Sequence, residues 1–326
     1  MMEPAAPYGA GFPVQKSERK QIWLLGSLSG GAVLLYVFLQ NLLVGGLGLI
    51  GLYEDYRSLP LMQAGVDILL VLLCLLVPFL LLSVPMGRVS GNRDVLALEA
   101  PKPKGEVVPA VFAGIGFCVL ANLVTGYLTQ FIMDLGVELS SPELPMPSGV
   151  LGVTVSFFRV VVVAALTEEI CFRGVVMGHL RRFGDFFAVA MASVVFAVMH
   201  CNLIQAPFAL IVGFALGYLC IRTGSLWTGI LVHALNNTIS LVFSYLLERY
   251  DEAAVNFAYT VLIDALLAIG AICFCILLVR RRKKPALLRT TLGFWRKTFW
   301  FFCNPPMIVA LGLMVWFTMQ FVGPAG

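Results

Sequence analysis

Six side chains in the middle of the chain have the types and spacing to do chemistry together. Glu168, Glu169 and Arg173 fall within six positions of a long apolar run, about residues 150–180. His200, His233 and Asn237 follow in two later apolar runs. A charge at the middle of a membrane helix costs roughly 2.5–3.5 kcal/mol on insertion scales, so three in one stretch need a reason. Glu169 and Arg173 are four apart, share a helix face and can pair. Glu168 sits about 100° round the helix and has no local partner. An ionisable residue left alone inside a membrane span is a functional-site candidate. A carboxylate near imidazoles can take a proton from water, and an amide or imidazole can donate to a developing oxyanion.

The elements that carry these groups are membrane helices. The chain is 60% hydrophobic and 12% charged, with a mean hydropathy of +0.92. A soluble globule carries about 25% charged residues. The reading is an all-α, polytopic transmembrane bundle of about eight spans. They run near 22–52, 66–84, 107–133, 150–180, 186–201, 206–221, 226–246 and 257–279. The apolar stretch 298–322, interrupted by Pro305 and Pro306, leaves about 17 residues, the lower limit for spanning. It fits either a ninth span or an interfacial element. Glycines at 26, 30, 31, 45, 46 and 48 suggest close packing in the first span, or a break in its second half. The division that follows is 1–146 as a three-span accessory region, 147–246 as the core, and 247–326 as a last span, a basic segment and an apolar tail.

Loop charges alternate. Basic loops follow spans two, four, six and eight, and the N-terminal segment is basic. The positive-inside rule then puts the N-terminus and the 280–297 segment in the cytoplasm. The chain shows no retention signal such as a terminal Lys-Asp-Glu-Leu, and a bacterial plasma membrane is the expected location. The net charge of +4 reflects that loop bias, and no nucleic-acid partner is expected. The eight cysteines lack metal-ligand spacing and read as small hydrophobes rather than a disulfide framework.

Depth ties the six residues together. At ~1.5 Å per residue from the basic ends, Glu168 lies ~18 Å deep, His200 ~21 Å and His233 ~12 Å. Three helices thus bring a carboxylate and two imidazoles to one layer. Each piece also has a packing explanation. Glu169 with Arg173 is a common interhelical glue, and His233 with Asn237 could bridge two helices. His179 is expected at the surface, and Asp264 in the last span receives no role.

The motifs Glu168-Glu169-x-x-x-Arg173, Phe196-x-x-x-His200 and His233-x-x-x-Asn237 resemble those of the CPBP family, the CAAX-protease and bacteriocin-processing intramembrane glutamic endopeptidases. Phe172-Arg173-Gly174 and Gly224-Ser225-Leu226-Trp227 look like the family's usual surroundings. The resemblance covers roughly residues 150–245. It implies metal-independent hydrolysis of a peptide bond in a membrane-associated peptide or protein substrate, with no cofactor. It also implies that Glu168 activates the water with help from His200, that His233 and Asn237 hold the oxyanion, and that Glu169 with Arg173 forms a supporting pair. The site is expected to open toward the cytoplasmic half of the bilayer. Lipid-modified C-termini, bacteriocin-like leaders and peptide signals all remain open as substrates, and so does the oligomeric state.

No serine or cysteine stands beside these groups in a nucleophile pattern, which favours direct attack by water. The mechanistic rival is zinc, since Glu, His and His are good ligands, but the His-Glu-x-x-His spacing is absent. Two other function classes compete. A non-enzymatic immunity or scaffold protein would have no use for Glu168, His200 and Asn237 together. A proton-coupled transporter would be favoured by inverted repeats or paired broken helices, and neither is visible in the sequence.

Overall fold

The computed structural model describes residues 17–141, 149–280 and 290–324. The polar segment through Lys16, Glu143, and the basic cluster from Arg281 to Lys284 lie outside the described residues. The apolar runs form helices α1 (Glu18–Leu49), α2 (Tyr53–Ser58), α3 (Pro60–Ser90), α4 (Lys104–Asp134), α5 (Gly149–Phe183), α6 (Asp185–Val198), α7 (Ala206–Thr223), α8 (Leu226–Leu247), α9 (Glu252–Val279), α10 (Phe294–Phe302) and α11 (Pro305–Met319). The β-structure among the described residues is one antiparallel pair, β1 (Val137–Leu139) with β2 (Val322–Pro324). Helix ends follow local chemistry. Ser225, Asp251 and Asn304 cap α8, α9 and α11 by accepting from Trp227, Ala254 and Met307 backbone N–H groups.

Seven helices are long and apolar enough to cross a membrane, and an eighth span is counted if α10 and α11, bent by 79°, act as one. The fold is the expected all-α polytopic bundle. One expected span differs. Helix α6 has 14 residues, about 21 Å, short of the usual spanning length. Most of it, from Phe187 to Ala197, is buried against other helices. It therefore pairs with α7 as one arm of a hairpin, and in its turn, 199–205, Asn202 is buried while Leu203 and Gln205 are exposed.

Backbone contacts sort the loops by side. Lys102 N–H donates to Thr223 O at 2.9 Å, and Leu226 N–H donates to Ala97 O at 2.8 Å. Arg182 Nη1 donates to Ser90 O, Arg280 Nη1 donates to Gly105 O, and the Thr291 hydroxyl donates to Glu18. The basic loops thus gather on one face, hereafter the basic side. The α4–α5 connection with β1 is on the far side.

The tail joins the two. Lys297 Nζ donates to Phe183 O at 2.5 Å on the basic side, whereas Val322 pairs with Leu139 on the far side. The stretch 298–322 therefore passes from one face of the bundle to the other beside α1. Gly26 and Gly30 permit this, because a Cβ on either would collide with backbone at Phe301 or Met307. Gly45, Gly46 and Gly48 meet nothing within 4 Å, and α1 runs unbroken to Leu49. His179 is a further correction. It is buried, and its ring nitrogens lie 3.0 Å from the Ser83 and Ser90 hydroxyls, because the end of α5 docks on α3 rather than facing water. All eight cysteines are free, although Cys275 and Cys303 are exposed rather than buried.

Candidate active site

Helix α5 is not uniform. Phe158–Val163 and Glu169–Met177 have π-helical hydrogen bonding, with the short α-helical piece Ala164–Glu168 between them. Such turns are rare and concentrate at functional sites, because the wider loop rotates side chains and releases backbone groups. Glu168 stands at the junction. Next to it, Arg173 Nη1 donates to Glu169 Oε1 at 2.8 Å, with side-chain exposures of 1% and 0%. The i, i+4 pair expected from sequence is thus present and fully buried.

Glu169 has a second partner that sequence reasoning did not supply. His233 Nδ1 lies 3.1 Å from the same Oε1, and with Nδ1 donating there the ring turns its Nε2 toward Glu168. That Nε2 is 3.7 Å from Glu168 Oε2, beyond hydrogen-bond length. The imidazole is therefore set between two adjacent carboxylates of α5. Gly229 on α8 makes the approach possible, since a Cβ there would sit 2.8 Å from Glu169 Oε2 and 2.6 Å from Cys220 Sγ. Glu169 Oε2 and Arg173 Nη2 have no hydrogen-bond partner among the described residues.

His200 sits at the turn that ends α6. Its Nδ1 is 2.9 Å from Phe196 O, which leaves Nε2 open, and its ring stands edge-on to Phe196 at 4.8 Å. The turn is braced by Asn202, which donates to His200 O and accepts from Gln205 N–H. Phe196 also carries the Arg173 guanidinium over its ring at 4.4 Å and touches Phe172 at 5.1 Å. This aromatic packing holds Arg173 and His200 in register.

Asn237 is placed differently from a free donor. One N–H of its amide donates to Val160 O at 2.8 Å, a carbonyl of the first π-helical stretch. The second N–H remains available, because an amide nitrogen carries two. Its Oδ1 accepts from Asn236 at 3.3 Å.

Glu168, His200, His233 and Asn237 line one cavity of about 830 Å³. Glu169 and Arg173 stand behind its wall. From Glu168 the cavity extends past Arg159 toward Gln40, Gln130 and Ser240, all in the far-side halves of their helices. This is opposite to the expected opening toward the basic loops. The packed layer of Phe172, Phe196 and Arg173, none more than 3% exposed, fills the route to that side. A second cavity of about 380 Å³ on the basic side reaches Arg173 but is not lined by Glu168. Among the described residues, no group of three or more His, Cys, Asp or Glu side chains is placed to hold a metal ion.

Residues 150–239 match the family model described as Type II CAAX prenyl endopeptidase Rce1-like. The segment is similar to that family. All six candidate residues fall inside it, while α1, α3 and the tail lie outside. Two relatives agree with the match. The chain is 24% identical over 172 residues to "Putative membrane peptidase YdiL" of Bacillus subtilis (strain 168), covering 52% of this chain and 67% of that one. It is 27% identical over 225 residues to "Membrane-embedded CAAX protease MroQ" of Staphylococcus aureus (strain USA300), covering 65% and 88%. No solved structure matches. The Rce1-like segment, set in a bundle of apolar helices and matched to these relatives, supports a membrane protease.

Proposed function

We propose that the chain is an intramembrane glutamic endopeptidase that uses Glu168 to activate water. The observation that carries this reading is the row Glu168, His233, Glu169 and Arg173, with Glu168 and His233 on the cavity and Glu169 with Arg173 behind it. Water bound between Glu168 and His200 loses a proton to the carboxylate as its oxygen attacks the peptide carbonyl carbon. The carbonyl oxygen becomes an oxyanion and accepts from the free N–H of Asn237 and from Nε2–H of doubly protonated His233. The proton held by Glu168 passes to the amide nitrogen, the C–N bond breaks, and the amine leaves.

Glu169 and Arg173 do not touch substrate in this scheme. Glu169 orients the imidazole through Nδ1 and stabilises its positive charge, and Arg173 balances Glu169 in a medium of low dielectric. The substrate is a peptide or protein that reaches the far-side half of the bundle. With the positive-inside rule applied to the basic side, that half faces away from the cytoplasm. The decisive test is purified protein in detergent with a fluorogenic peptide library, comparing wild type with Glu168→Gln. Cleavage by the wild type and none by the variant is the expected result. Equal cleavage by both would remove Glu168 from the chemistry.

A further inference from the structure

Outside the six motif residues, the group that packing explains least is Arg159. It lies on α5 nine positions before Glu168, lines the same cavity and is 7% exposed. Its Nη1 donates to Asp67 Oδ2 at 2.8 Å. The Tyr56 hydroxyl donates to Asp67 Oδ1 at 3.3 Å, so the charge of Asp67 is shared between two donors. Arg159 Nε is buried and has no hydrogen-bond partner among the described residues. Thr125 Oγ1, from another helix lining this cavity, is buried and unpartnered in the same way.

A buried N–H of a charged guanidinium without an acceptor is costly, and folded proteins leave few such groups. An ion pair that merely ties α3 to α5 accounts for the Nη1 bond. It does not account for the Nε edge, which is buried and unpartnered on a side chain that lines the cavity. We propose that Arg159 is a specificity-determining residue that binds a carboxylate of the peptide substrate through this edge, a deepening of the peptidase reading and dependent on it. The planar Nε–Nη2 fork matches two carboxylate oxygens, whereas a single carbonyl would use only one donor. Nine helical positions are roughly 13 Å, the reach of about four extended residues. One peptide can therefore hold its carboxylate at Arg159 and a peptide bond at Glu168.

The carboxylate belongs either to the C-terminus or to an acidic side chain, and three labelled peptides that differ only at their last residue and its terminal group separate these. One has a free C-terminus and no Asp or Glu, the second is its amide, and the third is an amide with Glu as its last residue. Binding is read by fluorescence anisotropy on Glu168→Gln protein in detergent, so it does not depend on turnover. The expected result is at least tenfold tighter binding of one acid peptide than of the plain amide. Adding Arg159→Gln should abolish that preference, and Arg159→Lys should keep part of it. Preference for the first peptide assigns the C-terminus, and preference for the third assigns a side chain.

Asp67→Asn is the control for a merely structural pair. It breaks the same ion pair but leaves the guanidinium, so acid preference should persist or grow. If Asp67→Asn loses the preference as fully as Arg159→Gln does, the pair is scaffolding and the proposal falls. Equal binding of acids and amide, or no binding of any peptide, also overturns it. Acid-selective binding by a protein that cleaves nothing would sink the peptidase reading while leaving the Arg159 subsite in place.

Discussion

His233 and Arg173 share one oxygen of Glu169, at 3.1 Å and 2.8 Å, inside a layer where Glu169 is fully buried. That single atom couples the imidazole facing Glu168 to the cation behind it. The two adjacent glutamates therefore have different partners and different burial.

Replacing each of them should separate the roles. Glu168→Gln, at a half-buried position on the cavity, should lose turnover with little change in melting. Glu169→Gln should lose turnover and also melt lower, because it leaves Arg173 as a buried charge without a counter-ion, typically about 3–5 kcal/mol. Thermal melts and turnover on both variants check this. Equal melting temperatures would mean that Glu169 carries no structural load.

Asn237→Ala should lower kcat by about 10²–10³ and leave KM within a few-fold, since an oxyanion donor acts mainly in the transition state. Steady-state kinetics on a cleaved library peptide decide it. The bond to Val160 adds a second signature. Its loss frees a carbonyl in the π-helical stretch, so amide exchange around Val160 should quicken as well. A large rise in KM with kcat retained would make Asn237 a binding or packing residue.

Gly229→Ala should impair turnover without replacing any motif residue. The new methyl would meet Glu169 Oε2 at 2.8 Å and Cys220 Sγ at 2.6 Å, so Glu169 or α8 must shift. Misplacement by about 1 Å can cost 10²-fold in rate. Gly45→Ala, with nothing within 4 Å, is the matched control and should be silent. Activity of both variants at equal expression is the measurement.

The cavity should be reached from the far side. A cysteine at Ser240, on the cavity, and one at Glu99, on the basic side, should label from opposite faces of sealed vesicles with a membrane-impermeant maleimide. The unsubstituted protein sets the background from its own eight cysteines. Labelling of both from one face would contradict the sidedness argued above.

Activity should not require a bound metal if Glu168 is the base and His233 and Asn237 the oxyanion donors, as proposed. Elemental analysis of active protein should find no stoichiometric zinc, and a chelator should leave the rate unchanged. One zinc per chain, with activity lost on removal and restored on return, would replace this mechanism.

The sequence by itself determined the class and the parts. Apolar runs of spanning length dictate helices wherever backbone groups cannot reach water. Spacing four apart allows the Glu169–Arg173 pair, and the ordered motifs pick out six residues before any contact is known. Tertiary structure decided how those parts face one another. The Glu169–His233 bond joins residues 64 apart and the Asn237–Val160 bond joins residues 77 apart, and no local pattern encodes either. They depend on two π-helical stretches that rotate α5 away from the regular 3.6-residue period, and on Gly229 letting α8 come close. The direction of the cavity, the burial of His179 and the crossing of the tail have the same origin. A period in the sequence says which residues share a face. Only the packing of small against large side chains says which face that is turned toward.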